Sequence, residues 1–222
     1  MLNFLSEIIL GRSPIPEPFK RCSYSSLPLI SIDLELTDLN INRAKVTSIG
    51  WIQGKMFDVD LSSAHYDIVR ASGDLHQSPV IHGLGAKEIA KGTHIREHVE
   101  ALKAFVESHV WVFHNATLDV KMLSRLWRLL EFESVSITTI DTMLLQVYVL
   151  EKTQGYVPSG GVTLASCRSY YHLSHAPEHN ALDDALATLT LLYAQLHQLD
   201  KTTNASLQQL SHTRAVKTFT LG

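Results

Sequence analysis

Four short segments carry residues whose types and spacing could do chemistry. The first is Ile32-Asp33-Leu34-Glu35. On a strand, side chains alternate, so Asp33 and Glu35 share one face, roughly 7 Å apart along the chain. Two acids on one face of an apolar strand repel each other and resist burial unless a cation lies between them. Such an all-oxygen donor set suits Mg2+ or Mn2+ rather than zinc. The competing reading is a strand that ends at Ile32 and leaves both acids in a solvated loop. The second segment is Val112-Phe113-His114-Asn115-Ala116-Thr117-Leu118-Asp119, an apolar run that turns and passes straight into a helical pattern. Strand C-termini of α/β sheets are where ligands bind. Asp119, however, falls in the first turn of the helix, where a carboxylate is favoured whatever else it does.

The third segment is Glu178-His179-Asn180-Ala181-Leu182-Asp183-Asp184. Five residues turn a helix through about 500°, so His179 and Asp184 cannot share a helical face. Asn180 as an N-cap, with Asp183 near the third helical position, resolves the conflict. His179 then precedes the helix and Asp184 is held one position further inside. A mobile base beside a fixed ligand suits hydrolysis. The plain alternative is an acidic helix start with an incidental histidine, in a chain that has twelve. The fourth segment, Asp141-Thr142-Met143, stands where a strand meets a helix, and Asp141 reads mainly as the N-cap of that helix, with a supporting polar role as the second option.

These residues need elements to position them. Residues 28–34 form a continuous apolar run of strand length, the pattern of a central strand buried on both faces. Two β-type segments, 45–53 and 56–70, read as a hairpin turning at Gly54-Lys55. Residues 85–108 have helical spacing, with Ile95, Val99, Leu102 and Phe105 on one face. A strand at 109–113, a helix at 117–130, a strand at 135–140 and a helix at 141–150 follow. Residues 152–161 are the richest loop signal, and helical patterns at 163–171 and 181–199 come after them. Strands first, then helix alternating with strand, predict an α/β fold on a mixed five-stranded sheet flanked by helices. Residues 1–25 read as an N-terminal extension, a short apolar helix followed by a Pro-rich break. Residues 26–200 make the main domain, and 201–222 read as a polar tail.

A chain of 222 residues suffices for one well-buried domain with short extensions. Its 45% hydrophobic and 18% charged residues exclude a disordered or fibrous chain. No apolar run approaches the roughly 20 residues that span a bilayer. Residues 1–11 lack a basic region and a cleavage site, so no export signal is expected there. Cys22 and Cys167 are too few for a disulfide framework or a zinc site, and read as reduced thiols.

In chain order, the Asp-x-Glu of Asp33 and Glu35, the His-Asn-Ala-x-x-Asp of residues 114–119 and the His-x4-Asp of His179 and Asp184 resemble the DEDDh exonucleases. That is the family of the proofreading epsilon subunit of bacterial DNA polymerase III. The likeness runs over roughly residues 28–197 and takes in Ile81-His82-Gly83-Leu84, Asp141-Thr142 and the helix at 164–171. It implies a ribonuclease H-like fold, two divalent cations (Mg2+ or Mn2+), and 3′→5′ hydrolysis of phosphodiesters at nucleic-acid 3′ ends with release of nucleoside 5′-monophosphates. By motif match, Asp33, Glu35 and Asp184 hold the first metal, Asp33 bridges to the second, Asp119 supports the second, and His179 is the general base. A histidine there separates the chain from the sister branch, which has tyrosine.

The resemblance also places Leu36 and Thr37 beside the terminal nucleotide, while His114 and Asn115 shape the turn and hydrogen-bond the backbone or the substrate. Where relatives continue with Thr-Thr-Gly, this chain reads Leu36-Thr37-Asp38, which predicts altered handling of the 3′ end. The implied partners are single-stranded DNA or RNA 3′ ends, with DNA preferred, and a DNA polymerase or another replication or repair protein; no membrane is implied. The implied location is a bacterial-type cytoplasm. Tyr156 is a candidate to stack on a base. The net charge of −3 turns slightly positive for the remainder once cations neutralise four clustered acids, which predicts modest, salt-sensitive binding to short single-stranded ends. Two rivals remain open. Ile32-Asp33-Leu34-Glu35 also resembles oligoribonucleases, which lack His-Asn-Ala. A non-catalytic interaction module could keep the same fold.

Overall fold

The apolar run ahead of the first acidic pair does form a strand, and the strand continues past the acids. In a computed structural model, which describes residues 15–16, 19–55, 57–72, 84–177, 180–202 and 204–222, this is β1 (Leu29–Leu36). β2 (Val46–Lys55) and β3 (Asp58–Ile68) follow as antiparallel neighbours. Next come α1 (Ala86–Lys91), α2 (Ile95–Lys103), β4 (Val110–Phe113), α3 (Ala116–Leu129) and β5 (Val135–Asp141). The chain ends with α4 (Thr142–Gln154), α5 (Leu164–Tyr170), α6 (Ala181–Leu199) and β6 (Val216–Leu221). The sheet order is β3-β2-β1-β4-β5-β6, with β1, β4 and β5 parallel and β6 antiparallel to β5.

The described sheet therefore has six strands, not the expected five. The sixth comes from the segment read as a tail. Val216-Lys217-Thr218-Phe219-Thr220-Leu221 is rich in β-branched and aromatic residues, and pairs residue by residue with β5 from Ile140↔Val216 to Val135↔Leu221. The stretch before it also packs: Leu207 and Leu210 lie buried with Phe19 and Tyr24 from the N-terminal segment. The apolar helix expected in residues 1–11 lies outside the described residues, as do residues 81–83 of the Ile81–Leu84 turn.

Two element boundaries differ from expectation for visible reasons. The hairpin turns between Lys55 and Asp58, where Phe57 takes φ 62°, and Gly54 stays inside β2. A Cβ on Gly54 would meet the Tyr193 hydroxyl and the Asp58 carbonyl at 2.4 and 2.6 Å, so glycine serves close approach there, not turning. The helical block 85–108 is split between α1 and α2. At the break, Thr93 N–H donates to the Ile68 carbonyl and Arg70 N–H donates to the Thr93 carbonyl, which pins the chain to the end of β3.

Register sorts the side chains between two layers. Ile30, Ile32 and Leu34 of β1 face α2 and α3, in a cluster with Ile49, Trp51, Trp111, Phe113, Val99, Leu102, Leu123 and Trp127. Leu29 lies on the other face with Ile52, Val110 and Val112, against Ala185, Leu189, Leu192 and Leu196 of α6. Each such burial contributes roughly 1.5–3 kcal/mol, enough together to hold in place a strand that also carries two anions. Asp33 pairs across the sheet with Gly50 and Glu35 with Ser48, so both acids lie on the α6 face. A Cβ on Gly50 would come within 2.3 Å of Leu182 N and 2.4 Å of the Ala181 carbonyl carbon. Glycine at this position lets the start of α6 rest directly on the sheet beside Asp33.

Candidate active site

Three carboxylates converge where β1 meets the start of α6. Asp33, Glu35 and Asp184 each offer an oxygen, and these oxygens all lie within 4.8 Å of one another. A hard cation bound at 2.0–2.6 Å can be reached by oxygens at about that separation, so the donor set fits Mg2+ or Mn2+. Asp184 is fixed because α6 starts where the sequence placed it. Asn180 Oδ1 accepts from the main-chain N–H groups of Leu182 and Asp183 at 3.1 and 3.2 Å, making it the N-cap. Asp183 is the third helical residue, and Asp184 follows it onto the side facing Asp33. His179 lies outside the described residues.

Asp119 approaches the same point from the first turn of α3, and only 7% of it is exposed. Burial pushes its pKa up to about 8; main-chain hydrogen bonds at Asp119 and Leu34 oppose the rise, and the charges of Asp141 and Glu35 add to it. Burial likewise pushes Asp33 well above the usual carboxylate range, reinforced by the charges of Asp119, Glu35 and Asp184. Asp33 and Asp119 thus resist ionisation beside neighbouring carboxylates, the electrostatic signature of a site shaped for cations. Asp119 is not among the three oxygens that could share one ion; its neighbour is Asp33.

The His114–Asn115 turn is held by a residue to which the sequence assigned mainly a local role. Asp141 is 3% exposed. It caps α4 by accepting from Met143 and Leu144 N–H at 2.9 and 3.2 Å. Its carboxylate also accepts from Asn115 and Ala116 N–H at 3.2 and 3.0 Å. Asn115 takes φ 69°, ψ 57°, a left-handed conformation that asparagine tolerates well, and its side chain is exposed. His114 is engaged at both ring nitrogens, with Thr142 Oγ1 at 2.8 Å and the Val162 carbonyl at 2.9 Å. The carbonyl can only accept, so Nε2 carries the proton. Burial lowers the His114 pKa, against smaller opposing effects from Val162 and Asp141, which keeps the ring neutral.

Leu36 and Thr37 face inward. The β1–β2 register shifts between Glu35 and Leu36, and Leu36 packs against the core of the opposite layer. Thr37 Oγ1 accepts from Lys45 N–H at 3.0 Å while Thr37 N–H donates to the Lys45 carbonyl. Asp38 accepts from Asn40 N–H at 2.7 Å and pairs with Arg43 at 3.0 Å. These three residues close the loop after β1 upon itself.

The family model described as Exonuclease (RNase_T) matches residues 30–192, which takes in Asp33, Asp119 and Asp184. The chain belongs to the RNase_T exonuclease family. Solved structures of similar fold include cell-death related nuclease 4, with a TM-score of 0.66 at 13% identity over 82% of this chain and 67% of that one. Exonuclease X in complex with 5′ overhanging duplex DNA gives 0.60 at 18% identity over 84% and 99%. E. coli exonuclease I in complex with a dA16 oligonucleotide gives 0.64 at 11% identity over 80% and 42%, so this chain spans about two fifths of that protein. At these identities the likeness is one of fold. Comparison with curated proteins yields no match.

Within this RNase_T exonuclease domain, a cleft of about 580 Å³ opens beside the acids, lined by Asp33, Asp184, His114, Thr163, Arg168 and His175 among others. Arg168 was not foreseen. From α5 it donates to the Ala187 carbonyl and Thr190 Oγ1 of α6, both at 2.8 Å, and to the Ser174 carbonyl at 2.7 Å. One guanidinium therefore ties the far wall of the cleft to the helix that carries Asp184. No local signal marks it, because its three acceptors lie 6 to 22 residues away. Tyr156 is 62% exposed in the loop after α4 and is not among the residues lining this cleft.

Proposed function

We propose that this protein is a metal-dependent 3′→5′ exonuclease of the DEDDh branch, akin to the proofreading epsilon subunit of DNA polymerase III. It removes nucleoside 5′-monophosphates from 3′ ends, with DNA preferred over RNA. The convergence of Asp33, Glu35 and Asp184 oxygens within 4.8 Å carries this reading, in a chain whose family is one of exonucleases. Exonuclease X and exonuclease I, both of similar fold and both seen with DNA, support the substrate preference.

Asp33, Glu35 and Asp184 would hold one divalent cation, Mg2+ or Mn2+, and Asp33 with Asp119 a second. Two such ions, when bound, clamp the attacking and leaving oxygens of an in-line displacement. His179 takes the proton of the attacking water, a task suited to an unperturbed pKa of about 6.5. The bond that breaks joins phosphorus to the 3′ oxygen of the penultimate nucleotide. His114, neutral and tied to Thr142 and Val162, shapes the cleft wall. Asn115 presents an exposed amide to the substrate. Thr37 and Leu36 act through the shape of the loop that they close. A cytoplasmic location and a polymerase or repair partner complete the proposal; no helix among the described residues is long and apolar enough to cross a membrane.

The test is parallel digestion of labelled single-stranded DNA, duplex DNA with a mismatched 3′ end, and RNA, in Mg2+, Mn2+ and EDTA. Release of mononucleotides from the DNA substrates, abolished by EDTA, is expected. Faster trimming of RNA would reverse the stated preference. Binding without release in either metal would leave an interaction module of the same fold.

A further inference from the structure

A second surface leads away from the acids on the side opposite the cleft. A groove of about 530 Å³ runs between α3 and the loop after β1, lined by Asn40, Asn42, Lys121, Ser124, Arg125 and Arg128 among others. A smaller groove of about 270 Å³ adjoins it and shares Arg125; its walls add Lys45 and Arg70. Among the described residues, the two linings together hold five cations and no carboxylate, in a chain whose net charge is −3. Asp38, the nearby acid of the loop, is paired with Arg43 at 3.0 Å.

The placement is directional. Lys121, Arg125 and Arg128 stand at i, i+4 and i+7 and share one face of α3. They extend over about 10 Å of helix, starting two residues after Asp119. The other wall is the loop that follows β1, at Leu39–Asn42. Lys121 and Arg128 are exposed. Arg125 donates to the Ala44 carbonyl at 2.9 Å, which orients it, and Lys45 donates to the Ser72 carbonyl. Asn40, Asn42 and Ser124 add uncharged hydrogen-bonding groups to the wall.

We infer that this basic groove binds the phosphate backbone of the nucleic acid beyond the reacting nucleotide. The inference rests on the exonuclease reading and deepens it. The substrate site is then longer than the short-end binding that the overall charge suggests, and chain length becomes a determinant of affinity. Charge complementarity selects the occupant: a lining of cations suits a polyanion, and the substrate whose reacting end lies at Asp33 is one.

The experiment measures binding of fluorescein-labelled oligothymidylates of 3 and 20 nucleotides to the full chain by anisotropy, with Ca2+ replacing Mg2+. Turnover of the p-nitrophenyl ester of thymidine 5′-monophosphate is followed alongside, in Mn2+. Lys121→Ala/Arg128→Ala is expected to weaken 20-mer binding about tenfold or more and to lower the slope of log K against log salt by about 1.4, at about 0.7 per phosphate contact on a single strand. The 3-mer affinity and ester turnover should hold at wild-type values. Lys121→Gln alone should give half the slope change, should the double variant fold poorly. An unchanged 20-mer affinity and slope in folded variants would overturn the inference, as would an equal loss of polyglutamate binding, which would mark a protein-docking face. A wild-type protein that binds the 20-mer through these residues yet cleaves neither substrate would sink the exonuclease reading while leaving the groove assignment standing.

Discussion

Removing Asp119 should make the cation-free protein more stable, not less. Its pKa in the folded protein is about 8 against an ordinary 3.8, so between those values the native state holds a proton that the unfolded chain has lost. Stability in EDTA is then full below about pH 4 and falls as pH rises towards 8. One proton corresponds to about 1.4 kcal/mol per pH unit, which accumulates to roughly 4 kcal/mol by pH 7. Asp33 titrates jointly with Asp119, so the loss belongs to the pair. Asp119→Asn keeps the shape and cannot ionise. It forgoes hydrogen bonds from the main chain at Asp119 and Leu34, about 1 kcal/mol each, leaving a net gain of about 2 kcal/mol at pH 7 in EDTA. Saturating Mg2+ should reverse the order, because a ligand at 100 times its Kd stabilises wild type by about 2.7 kcal/mol and the variant by less. Urea unfolding followed by tryptophan fluorescence, at several pH values between 5 and 8, with EDTA and with Mg2+, reads all of this. Parallel pH profiles for wild type and variant in EDTA would refute the reasoning.

The neighbouring acids of α6 separate ligand from helix start: Asp184→Asn should be nearly inactive in mononucleotide release, whereas Asp183→Asn should keep most activity and lose about 1 kcal/mol or less of stability. The reverse result would shift the assigned helix register by one. His179→Ala should lower kcat by roughly 10²- to 10⁴-fold, change Mg2+ affinity much less, and remove the acidic limb of the pH–rate profile, because the base must be neutral to accept a proton; a near-normal rate would make it incidental. Gly50→Ala should cost about 1–3 kcal/mol by thermal melting and reduce activity in step, since the new methyl would press on the Leu182 and Ala181 main chain; an unchanged Tm would remove Gly50 from the positioning of α6.

What could be read in the sequence was local. The strand carrying Asp33 and Glu35, the Asn180 cap and the position of Asp184 follow from periodicity and capping over a few residues, and the structure shows all three. Thr37 could not be read this way: its inward orientation depends on the register shift after Glu35 and on Lys45 across the loop. Asp141 showed its cap but not its second pair of donors, which lie 25 and 26 residues away. β6 was missed for the same reason. Its run of β-branched and aromatic residues is short, does not alternate, follows a polar stretch, and acquires meaning only from pairing with β5, far back in the chain.

Three helices begin at the cleft: α3 just before Asp119, α4 at Asp141, and α6 just before Asp184. Each helix start presents amide groups without partners inside the helix, worth about half a positive charge, so the peptide framework itself supplies roughly one and a half units of positive charge around the clustered acids. Asp141 absorbs part of it through four N–H donors, and the rest offsets repulsion among Asp33, Glu35, Asp119 and Asp184. That counter-charge is built into the backbone. It cannot be chelated, titrated or exchanged, and so a protein stripped of its cations keeps the shape into which they return.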